Sequence, residues 1–363
     1  MNDNDAFVQA ILTNPDDDQL RLIYADWLEE RGEVRGEFIR VQIELSRPDL
    51  DSTRQRDLLI REKELLAAHE AEWVGLLRPR MDRCTFRRGF LDEVEMAPDT
   101  FVEFAGVLFR AAPVRSLRVV WSGGWQCVAD LLRTPLLCRL RKLGFRNSMA
   151  AGSADEHFAQ HLAESPHLSA LRELDLPFNS IDLRGVRALA RSAALAGLTA
   201  LRLSYNDIGD LGVQALVGPS ELPNLRRLEL AACGLTNTAV TALARSDLAG
   251  QLEALDLSHN EKIDNTGMRT LARCRKLTAL RTLGLGGLPI NGLAIRTLSE
   301  CKSLAGLVEL DLAHVNVGDS GAEALAASPH LGRLSTLNLY KHRGISPPAQ
   351  QRLRDRFGSR VVL

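Results

Sequence analysis

The chain has 363 residues and a formal charge of −1, from 45 Lys+Arg against 46 Asp+Glu, with 45% hydrophobic and 25% charged residues. That balance excludes a polybasic nucleic-acid binder and a disordered chain, and no apolar run approaches the roughly 18 residues of a membrane span. Aromatics are only 5%, so the core must be built from Leu and Ala. In chain order, apolar residues at helical spacing predict helices over 5–14, 16–31 and 36–45. A longer amphipathic helix over 53–77 carries Leu58, Leu59, Leu65, Leu66 and Trp73. Residues 1–80 therefore read as an all-helical N-terminal block. The acidic start MNDNDAFVQAIL is not a secretory signal. None of the six cysteines forms a C-x-x-C pair, and the spacing suits neither zinc nor a disulfide framework. Together these point to a reducing cytoplasm.

Beyond residue 80 the chain repeats itself. L-x-x-L-x-L begins at Leu171, Leu198, Leu225, Leu252, Leu280, Leu307 and Leu334, a step of 27 residues broken once by a step of 28. The extra residue lies in HNEKI, 259–263. Weaker copies begin at Leu91, Val114 and Leu140, so ten strands are expected. After each strand comes a turn Asn or Cys (Asn179, Asn206, Cys233, Asn260) placed to bond loop backbone. Residues such as Asp210, Asn265 and Asp319 are then placed as helix N-caps. An Ala- and Leu-rich helix of about nine residues follows. Cys274 and Cys301 share one register position with Ser165, Ser192, Ser246 and Ser328, which marks a small-residue position after the helix rather than a disulfide. Residues 347–357 read as a last helix and Val361–Leu363 as a closing strand.

This pattern resembles the leucine-rich repeat, specifically its ribonuclease-inhibitor-like subtype, over about 270 residues. The resemblance implies an α/β fold: a right-handed horseshoe solenoid with a parallel concave sheet and convex helices, preceded by an all-helical cap domain. Stacking is required because one unit cannot bury its own apolar face. The expected domains are 1–80, the helical cap, and 81–363, about ten repeats with a C-terminal cap at 347–363. Residues 5–45 are similar to a planctomycete-type repeat-companion domain. The similarity rests on Asn14-Pro15-Asp16-Asp17-Asp18, on Tyr24-Ala25-Asp26-Trp27-Leu28-Glu29-Glu30-Arg31-Gly32 and on Arg35-Gly36-Glu37-Phe38-Ile39. It implies a bacterial intracellular setting and no activity. Within it, Tyr24, Trp27 and Phe38 read as core, and Asp26, Glu29, Glu30 and Glu37 as a solvated or salt-bridged face.

Catalytic signatures are missing from the sequence: there is no phosphate loop, nucleophile elbow, H-E-x-x-H or calcium loop. GLGGLPING, 284–292, is the repeat itself, and WSGGW, 121–125, reads as an irregular turn. His157 and His161 are i, i+4 and could bind zinc or copper with Glu164 as the one further candidate ligand, but read as a solvated helix face. No enzyme, cofactor or metal is expected.

Binding is expected where side chains alternate outward between the core leucines. The two outward positions of the ten strands hold eight acidic and four basic residues, among them Asp175, Arg202, Glu229, Asp256 and Asp311. Just before the turn Asn, one column reads Trp121, Asn147, Phe178, Tyr205, Ala232, His259, Gly287, His314 and Lys341, with Tyr340 one residue earlier in the last unit. Trp121, Phe178, Tyr205, His259, His314 and Tyr340 would line one rim of the face as anchors for a protein partner. The expected molecule is a monomeric, non-enzymatic scaffold for a cytoplasmic protein of unknown identity, binding neither nucleic acid nor membrane. One alternative is a regulatory or sensor subunit whose helical block docks on an effector. Another is an enzyme hidden in that block, using Asp26, Glu29 and Glu37.

Overall fold

A computed structural model describes residues 3–121, 125–147, 157–218 and 220–363, the side chains of Trp121 and Asn147 excepted. The chain falls into two compact units, Met1–Gly144 and Phe145–Leu363.

The first unit opens with four helices, α1 (Asp3–Thr13), α2 (Asp18–Glu29), α3 (Arg35–Leu45) and α4 (Ser52–Val74). All four expected helices form, with ends shifted by a few residues. Asp17 caps α2, its carboxylate accepting from Gln19 N at 2.8 Å, and Asp51 caps α4 in the same way through Thr53 N and Arg54 N. Tyr24 and Phe38 are buried, as expected of core residues, and Trp27 packs on the Tyr24 cluster while Trp73 stacks on Phe38 at 4.6 Å. The α2–α3 crossing is close because Gly36 has no side chain: a Cβ there would lie 2.6 Å from Ala25 O. The acidic residues of this block are paired. Arg40 binds Asp26 and, at 3.0 Å, Glu29; Arg61 binds Glu37 at 2.7 Å.

Then follow β1 (Arg83–Arg87), β2 (Phe90–Met96), α5 (Pro98–Ala111), β3 (Ser116–Trp121), α6 (Trp125–Leu132) and β4 (Lys142–Asn147). β2 and β3 pair in parallel, as the repeat requires. β1 was not among the expected strands; it pairs antiparallel with β2. The two-residue link, Arg88 at φ 53° and Gly89 at φ 86°, matches the twist of paired strands. Gly89 presses on α3: a Cβ there would sit 2.1 Å from Ile39 Cγ1, and Gly89 N donates to Gln42 Oε1 at 2.7 Å.

The second unit repeats strand and helix: α7 (Phe158–Glu164), β5 (Glu173–Asp175), α8 (Leu183–Ala190), β6 (Ala200–Arg202), α9 (Gly209–Val217), β7 (Arg227–Glu229), α10 (Asn237–Arg245), β8 (Ala254–Asp256), α11 (Asn265–Arg273), β9 (Thr282–Gly284), α12 (Gly292–Ser299), β10 (Glu309–Asp311), α13 (Gly318–Ala327), β11 (Thr336–Asn338), α14 (Pro347–Phe357) and β12 (Val361–Val362). Strands β5 to β12 pair in parallel in sequence order. Matching leucines sit opposite one another, as in Leu174–Leu201 and Leu201–Leu228. These leucines are fully buried, forming the aliphatic ladder that replaces an aromatic core. The closing helix and strand form as expected. The unit that begins at Leu140 runs for 31 residues, about four of them extra near 150–153; these lie outside the described residues, as do residues 122–124 of WSGGW.

Side chains stitch each unit to its neighbour in three rows. The first is the expected one. Asn206 Oδ1 accepts from Asn179 N and Ile181 N, both at 2.9 Å, while its Nδ2 donates to Leu176 O and Leu203 O at 2.8 Å. Asn260 repeats this toward Cys233 N and Leu235 N, and Cys233 substitutes its thiol, 3.2 Å from Leu203 O. In the second row the small residue after the helix donates to the end of the preceding unit's helix. Ser192 Oγ reaches Ala163 O at 2.6 Å, Cys274 Sγ reaches Ala244 O at 3.2 Å and Cys301 Sγ reaches Ala272 O at 3.1 Å.

The third row corrects the expected N-caps. Asp210, Asn265 and Asp319 lie inside the first turn of their helices; Asp182, Thr236, Asp264 and Asn291 are the caps. Asp210 instead accepts from Thr236 N of the next unit at 2.8 Å, Asn265 from Asn291 N at 3.1 Å and Asp319 from Ser346 N at 2.7 Å. For α11 the cap lies one residue earlier, at Asp264, where extended backbone precedes the first helical residue; α9 and α13 start after Ile208 and Val317 and have no side-chain cap.

All six cysteines are free, Cys138 exposed and Cys233, Cys274 and Cys301 buried. Burial pushes the Cys233 thiol up to about 11. Native alkylation at pH 8 is therefore expected to label Cys138 within minutes and leave Cys233 unmodified until the chain is unfolded, as peptide mass mapping would read; early labelling of Cys233 would contradict its place in the first row.

Candidate protein-binding face

The rim column has a backbone signature. Phe178, Tyr205, Ala232, His259, Gly287, His314 and Lys341 all have φ between 51° and 68°. For a residue with a side chain this left-handed conformation costs about 1–2 kcal/mol. What holds it is the hydrogen-bond ladder, which continues past the strands. Phe178 N donates to Ser204 O at 3.2 Å, Tyr205 N to Ala231 O at 2.7 Å, His259 N to Gly286 O at 2.8 Å and His314 N to Tyr340 O at 2.9 Å. Each unit must turn sharply from strand to loop here, and the left-handed residue makes that turn while its side chain is directed away from the leucine ladder.

The outcome is an exposed rim. Phe178 and Tyr205 are 44% and 45% exposed, and their rings stack with centroids 4.1 Å apart and an interplanar angle of 11°. Tyr340 is 50% exposed, with His314 edge-on at 6.1 Å and Lys341 Nζ 5.2 Å from the ring centroid. His259 is exposed but lies over Gly287, where a Cβ would be 2.5 Å from its Nδ1. Trp121 ends β3, and its side chain lies outside the described residues. The structure thus brings Phe178 with Tyr205 together, and His314 with Tyr340, and leaves His259 between the two pairs.

The strand positions divide in two. On β5 to β7, Arg202 sits between Glu173 and Glu229, with contacts of 3.3 and 2.8 Å, and Asp175 shares its electrostatic surroundings. On β8 to β11 the outward residues are Ala254, Asp256, Thr282, Gly284, Glu309, Asp311, Thr336 and Asn338, with three carboxylates and no cation. Asp256 and Asp311 are held in place by backbone N–H groups two residues on, Ser258 N and Ala313 N, each at 2.9 Å. Asp256 also leans over β9, where a Cβ on Gly284 would come 2.3 Å from its Oδ1.

The two sites of possible chemistry do not assemble. His157 precedes α7 rather than lying within it, and its ring is 6.4 Å from that of His161. Among the described residues no three His, Cys, Asp or Glu side chains group as for a metal ion. Arg61 holds Glu37 below the usual carboxylate range, the opposite of what a general acid near neutral pH requires. No helix among the described residues is long and apolar enough to cross a membrane.

Comparison with known proteins bears on the repeats. No curated protein matches the sequence. Among solved structures, the chain is similar to an internalin F from Listeria monocytogenes strain 4b F2365, at 16% identity over 72% of this chain and 84% of that one, with a TM-score of 0.40. It is similar to an internalin C2 of the same strain, at 25% identity over 57% and 73%, with a TM-score of 0.36. A chain of the yeast Rad7 and Elc1 complex matches at 15% identity over 92% and 87%, with a TM-score of 0.43. Residues 167–190, 198–217, 252–272 and 307–326 match the family described as Leucine Rich repeat. These four segments of the chain are similar to leucine-rich repeats.

Proposed function

We propose that the chain is a non-enzymatic scaffold on which a cytoplasmic protein docks, using the open, concave face of the repeats. The observation that carries this is the rim: Phe178 and Tyr205 held at the left-handed turn position, and Tyr340 beside it, all about half exposed. The turn itself belongs to every repeat and glycine would make it without strain, so large exposed side chains there are a reason to look for function, and exposed aromatics are what interfaces use as anchors. The β8–β11 half of the face supplies Asp256, Glu309 and Asp311 for a basic patch on the partner, and a phosphate backbone would meet net negative charge there. A reducing compartment agrees with six free cysteines, two of them hydrogen-bonding helix ends. In this reading 81–363 is the monomeric binding domain and 1–80 its helical companion.

The test is a double substitution, Phe178→Ala with Tyr205→Ala. Alanine inherits the same backbone strain, and the lost stack is worth about 0.5–1.5 kcal/mol, so the melting temperature should move by only a few degrees. A photocrosslinker at Phe178 identifies the partner, and the double variant should bind that partner at least 30-fold more weakly, the loss of one anchor of about 2 kcal/mol. A variant that melts early would make these rings structural; unchanged affinity in a well-folded variant would remove the rim from the interface.

A further inference from the structure

Four arginines from separate segments converge on one hollow in the Met1–Gly144 unit. It has a volume of about 620 Å³ and opens between the end of α1, the α1–α2 loop, the end of α5 and the segments leading into β3 and β4. Small-molecule pockets run from roughly 300 to 1,000 Å³. Arg110, Arg115, Arg139 and Arg141 line it, and among the described residues that line it Asp16 is the one carboxylate. That carboxylate is already engaged: Arg115 Nη1 donates to Asp16 Oδ1 at 2.8 Å, and Arg88 Nη1 lies 3.9 Å from the same oxygen. Arg139 is held by neutral groups instead. Its Nη1 donates to Phe109 O at 3.2 Å, and its guanidinium carbon lies 5.4 Å from the centroid of the Phe109 ring.

Positive charge therefore exceeds negative charge in a hollow that the fold has already shaped. Like charges gathered in one place repel, and an anion relieves that repulsion. Guanidinium forks match phosphate oxygens two at a time, and a dianion accepts more than one fork. Leu12, Pro15 and Pro113, all partly exposed, give the same hollow an apolar wall.

We propose that this hollow binds a small molecule carrying a phosphate group on an apolar or aromatic body. The phosphate lies between Arg110 and Arg139, and the body rests on Leu12, Pro15 and Pro113. The site is independent of the protein-binding face and stands or falls separately from it.

Calorimetric titration of the full chain with phenyl phosphate, inorganic phosphate and phenol tests this. Phenyl phosphate should bind at least tenfold more tightly than inorganic phosphate, phenol should give no heat, and added salt should weaken binding. Arg110→Gln and Arg139→Gln should each weaken phenyl phosphate about tenfold, the loss of one charge-assisted hydrogen bond. Asp16→Asn should keep or raise the affinity. Cys138 lines the hollow and is exposed, so bound phenyl phosphate should slow its alkylation. Arg110 is exposed, so its substitution leaves a folded protein even where Arg139→Gln does not. Absence of both heat and Cys138 protection at millimolar phenyl phosphate overturns the proposal, as does undiminished binding by Arg110→Gln. Equal affinity for phenyl and inorganic phosphate overturns the role of the apolar wall.

Discussion

Replacing Asn206 with Ala is expected to lower the unfolding free energy of the repeat unit by about 3–5 kcal/mol. The amide is 2% exposed and joins two backbone N–H groups and two carbonyls across two neighbouring turns. Each buried group left without a partner costs about 1–3 kcal/mol, partly recovered as the turn relaxes and water enters. For a unit of this size the melting temperature should fall by about 10 °C. Urea unfolding followed by far-ultraviolet circular dichroism measures it. Asn206→Cys should cost less, because Cys233 occupies the same place in the next unit and keeps one contact to a carbonyl, Leu203 O. A loss under about 1 kcal/mol for Asn206→Ala would mean that the stack rests on its leucines alone.

The second large effect belongs to Gly89. Alanine there must adopt φ near 86° and push its Cβ onto Ile39. The left-handed conformation costs about 1–2 kcal/mol and the crowding about 1–3 kcal/mol more, so Gly89→Ala should destabilise the first unit by about 3–4 kcal/mol. Gly32→Ala separates the two contributions. Its φ of 75° carries the same conformational cost, but no atom lies within 4 Å of the added Cβ. All four tryptophans, Trp27, Trp73, Trp121 and Trp125, fall within Met1–Gly144, so tryptophan emission follows that unit. Equal losses for the two variants would show that the hairpin does not bear on α3.

Much of the fold was legible because its signals are periodic. The leucine step placed every repeat strand, and helical spacing placed α1 to α4. β1 escaped because its five residues alternate between exposed and half-buried, with no apolar run; the Arg88-Gly89 pair between two alternating segments was the available signal. The rim residues were found by register, but their left-handed backbone was not. A dihedral angle leaves no mark in one letter unless the letter is glycine, and Gly287 stood in that column among large side chains. The N-caps were misplaced because a second Asp or Asn just inside the helix bonds the next unit instead: the cap of α11 is Asp264, one residue before Asn265, while α9 and α13 start at Gly209 and Gly318 with no side-chain cap. The arginine-lined hollow could not be read at all, since Arg110 lies at the end of α5, Arg115 leads into β3 and Arg139 and Arg141 lead into β4, and only the packing of the first unit brings them together.

The three rows of side-chain stitches bear on how such a chain can be inherited. The units of β5 to β8 each carry a turn Asn or Cys that reaches back, and those of β6 to β8 an Asp or Asn that reaches forward. A repeat duplicated or deleted whole within that stretch therefore leaves matching halves on both sides of the junction, whereas the units of β9 to β11, with Leu288, Val315 and His342 at the turn position, lack the first joint. Change within a unit has less freedom. The single extra residue of the 28-residue unit falls just past Asn260, where Glu261 and Lys262 are exposed and no stitch is interrupted.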